Sequence, residues 1–405
     1  MKTRMFFGLL LAALLVLTGW EAQAQSFLKK VNCTKGQTIT RALEGLDFIS
    51  ITIQVKGTCN ENVEIIRDDV TLIADPMGGT VIGLDPNVPT INVRAFRTVI
   101  DGLTVTGAGR PGIGVGGGAT IRNCTVRNTG GSGISFFHGG KGTVDNCTVQ
   151  NNGGHGVVIE GGSATVINSA ISSNTLVGIS VSLAGSARIG ITDLNLYAGN
   201  TISNNQGSGI LISNSGSAHI GGNTISGNGT NPSSLFGFFG VLISNASANL
   251  VGNNSITGNS GTGVLVERSS VRIGNPSFGL PIANVITGNG ATLTPNGGIL
   301  GTQGASLQIE SATITGNTGN GINLQLRSTA RIYNDTVNNN TGNGILLGQG
   351  AGLILQNPVV TVTGNTQFGL QCFGNESSFE GNTSGISRNG SGVPEQQVSP
   401  SYTGF

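Results

Sequence analysis

Residues 200–228, NTISNNQGSGILISNSGSAHIGGNTISGN, hold short apolar alternations separated by Gly, Asn and Ser. They are Thr201-Ile202-Ser203, Ile210-Leu211-Ile212 and Ala218-His219-Ile220, and the first returns as Thr224-Ile225-Ser226. Alternation over a few residues between turn formers is the grammar of strands, and no helical period accompanies it. Outward from this segment, a Gly before Ile, Val or Leu recurs at Gly112, Gly133, Gly156, Gly178, Gly209, Gly240, Gly263, Gly298, Gly321, Gly344 and Gly369. The spacings run from 21 to 35 with 23 the commonest, so one unit repeats and some copies carry inserted loops.

Three short strands per unit cannot bury their apolar faces alone. Stacked coils can, with equivalent residues ~4.8 Å apart along the stack. The expected architecture is therefore all-β, a parallel β-helix of about a dozen coils of ~22 residues. Such a stack should superpose its turn asparagines into ladders. Asn174, Asn205, Asn228, Asn259, Asn289, Asn317, Asn340 and Asn365 each follow the Ile or Val of their phrase by three residues. A second, inward row runs Asn200, Asn223, Asn254, Asn284, Ala312 and Asp335.

These coils resemble the right-handed parallel β-helix repeats of the pectate-lyase-like superfamily, over residues 61–375. The resemblance implies the fold but not an activity, since lyases, hydrolases, epimerases and non-enzymatic surface proteins share it.

The flanks differ. Lys2 and Arg4 precede 13 apolar residues, Met5–Leu17, and Ala22-Gln23-Ala24 supplies a cleavage site. Residues 1–24 thus read as a secretory signal, too short to span a membrane. The protein is expected to be exported to the periplasm, cell surface or medium, with no transmembrane segment. Residues 25–60 read as an N-terminal cap with a short helix opened by Thr38 or Thr40, and 376–405 as a polar tail.

Composition narrows the function. Gly contributes 68 of 405 residues, charged residues are 10% and the formal charge is +1. There is no basic excess to neutralise phosphates, so nucleic acid is not an expected partner. Without the signal the chain holds 18 basic and 18 acidic residues, nine of the acids within 25–101. Few ionisable groups are left for chemistry on the coils. No cofactor or metal is expected: C-x-x-C is absent and the three histidines lie apart. An exported chain can hold disulfides. Cys33 and Cys59 bracket the cap helix and are expected to be joined. Cys124 and Cys147 occupy the same phase in two NCTV phrases, where a bridge and a buried thiol pair both fit, the thiols being favoured; Cys372 is left alone.

Catalytic candidates are weak. Gly154-His155-Gly156 matches the G-H-G of polygalacturonases of this fold, but their N-T-D and R-I-K are missing and Asp68-Asp69 lies four coils too early. His155 reads as a turn residue. The D-P-H-D of alginate epimerases is also absent. Glycosidases place two carboxylates within about 10 Å, whereas Glu160 and Glu267 share a phase four rungs apart. Asp145 aligns with Arg122 and reads as half of a surface ion pair. A spatial cluster among His138, Lys141, Asp145 and Glu160 would support a lyase, glycoside hydrolase or epimerase, whose site is otherwise scattered over the coils.

Two outward rows carry more. In the Ser-Ala-x-Ile strand, x reads Thr120, Thr143, Thr165, Arg188, His219, Asn249, Arg272, Gln308 and Arg331. The last six form a basic-polar stripe at strand spacing, close to the advance of one sugar residue, suited to carboxylates of a polysaccharide. The plain alternative is that outward positions are simply polar. The second row holds Leu211, Leu242, Leu265, Leu300 and Leu346, which should be covered by the insertion 232–239, the tail or a partner. The leading expectation is a non-catalytic module binding a polysaccharide or other extended ligand. A polysaccharide-modifying enzyme is the alternative, and a structural rod or adhesin the second.

Overall fold

The computed structural model describes residues 27–45, 50–107, 110–231, 237–274, 283–290, 297–357, 359–373, 376–390 and 396–397. The expected signal, 1–24, lies outside them. Short parallel strands wind into a solenoid of about 14 turns, against about a dozen expected, and its strands group into one sheet of 14 and one of 27. The sheet of 14 is the Gly-Ile face, from Val63–Ile65 to Gln396–Gln397. The larger sheet holds two faces, the Ser-Ala face (for example Ser217–Gly221) and the Asn-Thr face (for example Thr224–Ser226). They merge because Ile51–Asn60 and Val70–Gly83 each run unbroken round the corner between them, with a register shift between Val55 and Gly57.

Inward residues of all three faces form one continuous core. Ile202, Ile212 and Ile220 in one coil and Ile225, Ile243 and Leu250 in the next are all fully buried. Each such side chain contributes about 1.5–3 kcal/mol by leaving water.

The repeat glycines answer to crowding rather than to backbone handedness. A Cβ on Gly209 would lie 2.7 Å from the Gly240 carbonyl oxygen and 2.6 Å from Ile225 Cγ2, and Gly240 repeats this against Gly263 and Ile256. Left-handed corners fall elsewhere, for instance at Asn204 (φ 55°) and Gly227 (φ 62°), just before the asparagine column.

That column is a continuous ladder from Asn152 to Asn389. Asn205 Nδ2 and backbone N–H both donate to Asn228 Oδ1, at 2.9 and 3.1 Å, and Asn228 repeats this with Asn259. The inner row is bonded likewise from Asn200 to Asn284. Ala312 interrupts it, and Asp335 then accepts from the Ala312 N–H.

At the N-terminal end, the strand Phe27–Asn32 already pairs in parallel with Ile51–Lys56. The ladder thus begins inside the segment expected to be a separate cap, and three further strands, Ser378–Gly381, Ile386–Ser387 and Gln396–Gln397, fall in the expected tail. The helix Ile39–Leu43 covers the end of the stack with Ile39 and Ala42. Thr38 is its N-cap, accepting from Arg41 N–H. Glu61 completes the cap, its carboxylate accepting from the Ile39 and Thr40 N–H groups at 2.7 and 3.0 Å. Cys33 and Cys59 form a disulfide with Cα atoms 5.1 Å apart.

Candidate functional site

The Ser-Ala face carries the site. Its outward column runs in unbroken register from Thr120 through Thr143, Thr165, Arg188, His219, Asn249, Arg272 and Gln308 to Arg331. Ile354 and Glu380 extend it by two rungs. Inward neighbours hold the strands flat against the core, Leu307 and Ile309 around Gln308 and Ala330 and Ile332 around Arg331. A groove of about 910 Å³ lies over the later part, floored by Asn249, Arg272, Gln308, Arg331, Ile354 and Glu380 and bordered by Ser270, Ser306, Thr329 and Ser378.

The stripe is less uniform than its sequence. Arg188 turns to the loop that follows its strand: Nη2 donates to the Thr192 carbonyl at 2.8 Å and to Asn195 Oδ1, and Asp193 lies 3.7 Å away. Its guanidinium is a loop anchor outside the groove. The His219 side chain is largely open to solvent; partial desolvation together with the Arg188 charge lowers its pKa, so it contributes a neutral ring at neutral pH. Arg272 donates from Nη2 to Glu310 Oε2 at 3.0 Å. Glu310 is 2% exposed, so the pair fixes the guanidinium while offsetting its charge. Arg331 is exposed and makes no ion pair among the described residues.

Of the weak catalytic candidates, His138, Lys141 and Glu160 lie around one turn on two adjacent coils and Asp145 lies apart. Glu160 lies beside Phe137 on the next coil, and His138 occupies the adjoining turn. Lys141 begins the following strand, with Asp145 at its far end, ~13 Å away at strand rise. Among the described residues no hydrogen bond or ion pair links any two of the four. Arg122, aligned with Asp145, turns the other way and pairs with Asp101 at 2.8 Å, leaving Asp145 to accept from Asn168. The expected Arg122–Asp145 pair is thus replaced, because Arg122 has a carboxylate in register on both sides.

His155 sits in a turn, where its Nδ1 accepts from the Val177 N–H at 3.2 Å and burial lowers its pKa to about 4. A neutral ring fixed to the backbone matches a turn residue. Cys33, Cys59 and Glu61 lie close together, but the sulfurs are in the disulfide and the carboxylate caps the helix, so this group is not a metal site.

Cys124, Cys147 and Ser169 occupy the phase of the inner asparagine row, one coil after another. Each thiol is buried and contacts a carbonyl two residues back, at 3.1 Å for Cys124 and 3.2 Å for Cys147. Inner-row amides make the same contact, as Asn223 Nδ2 does with the Gly221 carbonyl. Cys372 is a separate buried thiol.

The leucine column is not bare: Leu211 and Leu300 are buried, and Leu242, Leu265 and Leu346 half-buried. Of the insertion expected to cover it, residues 232–236 lie outside the described ones. Phe238 and Phe239 stack at 4.8 Å where it rejoins the coil. No helix among the described residues is long and apolar enough to cross a membrane.

Comparison with known proteins bears on the fold. The catalytic unit of a thermostable GH87 α-1,3-glucanase from Streptomyces thermodiastaticus is similar over 91% of this chain and 69% of its own, at 15% identity and a TM-score of 0.51. The Azotobacter vinelandii mannuronan C-5 epimerase AlgE6 A-module is similar over 89% and 92%, at 15% identity and a TM-score of 0.43. A pectate lyase is similar over 71% and 77%, at 13% identity and a TM-score of 0.43. No curated protein matches the sequence. The family model described as a right handed beta helix region matches residues 90–238 and 236–384. With that repeat covering most of its length, and the parallel solenoid and asparagine ladders it builds, the chain belongs to the right-handed β-helix family.

Proposed function

We propose that this protein is an exported, non-catalytic module that holds an extended acidic polysaccharide in the groove of the Ser-Ala face. Arg331 meets the carboxylates, with Arg272 two rungs away beyond Gln308, while Asn249 and Gln308 meet hydroxyls. The observation that carries the reading is the in-register column Asn249, Arg272, Gln308, Arg331 along the floor of a groove of about 910 Å³. A flat row of polar side chains at ~4.8 Å intervals suits a ligand that is itself a linear repeat. An exposed guanidinium is suited to paired hydrogen bonds with a carboxylate. Among the described residues no hydrogen bond or ion pair joins His138, Lys141, Asp145 and Glu160, and Asp145 already accepts from Asn168, which supports binding over turnover.

The test is titration calorimetry against uronate and neutral polysaccharides, with product release followed in parallel. The wild type should bind a uronate polymer and release no product. Arg331→Gln, at an exposed position, should weaken binding about tenfold or more. Absence of binding, or an unchanged Arg331→Gln affinity, would overturn the proposal. Product release would move the protein among polysaccharide-modifying enzymes.

A further inference from the structure

Cys124 and Cys147 lie on consecutive coils of the inner corner. The pairs Arg122–Asp145 and Thr125–Thr148 flank them in register, which sets their Cα atoms about one strand spacing apart. That separation falls within the range a disulfide spans. Both thiols are buried, at 1% and 2% exposure, and each lies against the backbone carbonyl two residues back, at 3.1 and 3.2 Å. Their neighbours explain why this coil would gain from a covalent link. From Asn200 to Asn284 the inner corner is joined coil to coil by amide hydrogen bonds. Upstream, Cys124, Cys147 and Ser169 fill the same slot without an amide column: Ser169 Oγ accepts from Cys147 N–H at 3.1 Å, the Cys147 thiol reaches the Ile121 carbonyl at 3.5 Å, and beside them Asn146 Nδ2 donates to Asn123 Oδ1 at 2.7 Å. The Asn152–Asn389 ladder runs on the other side of the Asn-Thr strand and does not replace what is missing.

We infer that Cys124 and Cys147 are a second disulfide site, an inter-coil staple closed by exchange with a small-molecule or protein disulfide. One of the two thiols, deprotonated as the coils open, attacks first. Its thiolate takes one sulfur of the oxidant, and the first thiolate of the oxidant leaves. The other thiol, deprotonated in turn, then attacks its neighbour's sulfur in the mixed disulfide and expels the second thiolate. The two protons end on the two released thiols. The protein loses two hydrogens and two electrons, and the oxidant gains them. Both sulfurs are closed to solvent, so exchange waits for local opening of the coils holding residues 118–150.

The full chain with Cys33–Cys59 intact supplies the test. It is incubated with oxidised glutathione at native pH, free thiols are alkylated, and peptides are mapped without reduction. The expected product is a Cys124–Cys147 cross-link with Cys372 still alkylatable once the protein is denatured. Oxidation should speed up in low urea and raise the melting temperature by several degrees, since the cross-link closes a one-coil loop. Cys124→Ser and Cys147→Ser should each abolish the cross-link and the melting shift. In low urea, Cys124→Ser should form a glutathione adduct at Cys147 and Cys147→Ser one at Cys124. Cys124 and Cys147 both remaining alkylatable after oxidation in low urea, or a cross-link reaching Cys372 or a second chain, would overturn the inference.

Discussion

The asparagine ladder makes a quantitative claim about Asn228. Its side chain is fully buried. Oδ1 accepts from Asn205 Nδ2 and from the Asn205 N–H, while Nδ2 donates to Asn259 Oδ1 at 3.0 Å and to the Ile202 carbonyl at 2.9 Å. Asn228→Ala therefore strands two buried donors on Asn205 and removes a donor from Ile202. Each stranded group costs about 1–3 kcal/mol. With a small cavity added, the loss should be about 3–5 kcal/mol. Guanidinium unfolding gives the total, and amide exchange gives its distribution. In a stack held by nearest-neighbour contacts, protection should fall mainly in the coils holding Asn205, Asn228 and Asn259. Asn228→Asp is the control. It keeps the acceptor for Asn205 but points a second oxygen at Ile202 O and Asn259 Oδ1, so it should be worse at pH 7 and partly recover in acid. A loss below about 1 kcal/mol for Asn228→Ala, or a loss of protection spread evenly over all coils, would refute the view that the ladder holds coil to coil.

Other consequences follow from particular groups. Burial pushes the Asp335 carboxyl up to about 8, well above its ordinary value of 3.8. Between those values the folded chain holds a proton that the unfolded chain has released, so its contribution is full below about pH 4 and lost as pH rises to about 8. Relative to wild type, Asp335→Asn should gain stability over that window, at up to about 1.4 kcal/mol per pH unit, and level off above it; a pH-independent difference in melting experiments would count against this. His155 works in the opposite sense. Its folded pKa of about 4 lies below the ordinary 6.5, so its contribution is present above about pH 6.5 and lost as pH falls towards 4. His155→Gln should flatten that acid limb in the same experiments. Replacing Cys33 and Cys59 with Ser opens a loop closed across 26 residues and should cost about 3 kcal/mol. Exchange protection should then drop first in Phe27–Asn32 and Ile51–Asn60, and a loss that began at the C-terminal coils would exclude the capping role.

The repeat made the solenoid legible because each coil solves the same packing problem. Identical phrases at fixed phase leave little freedom in register, and the outward column from Thr120 to Arg331 is as continuous in space as in sequence. The asparagine column could be read for the same reason, although its ends at Asn152 and Asn389 fall in phrases that vary more. The inner row carries a further signal in the sequence: Cys124, Cys147 and Ser169 precede their Thr or Ala as Asn200 and Asn223 precede theirs. Other features depend on side-chain choices that periodicity cannot supply. Arg122 has a carboxylate one rung away on either side and takes Asp101. Arg188 shares the phase of Arg272, but the loop inserted after its strand supplies nearer acceptors. Glu61 caps a helix more than twenty residues before it, across the closed end of the stack.

Amide hydrogen exchange of the full chain, with and without a saturating oligouronate, tests the binding account most directly because it reports where the ligand lies. The account predicts added protection in Ser270–Ile273, Ser306–Glu310 and Thr329–Tyr333, little change on the Gly-Ile face, and loss of the effect in Arg331→Gln. Protection centred on the leucine column or the N-terminal coils, or none at a concentration where calorimetry shows binding, would contradict it.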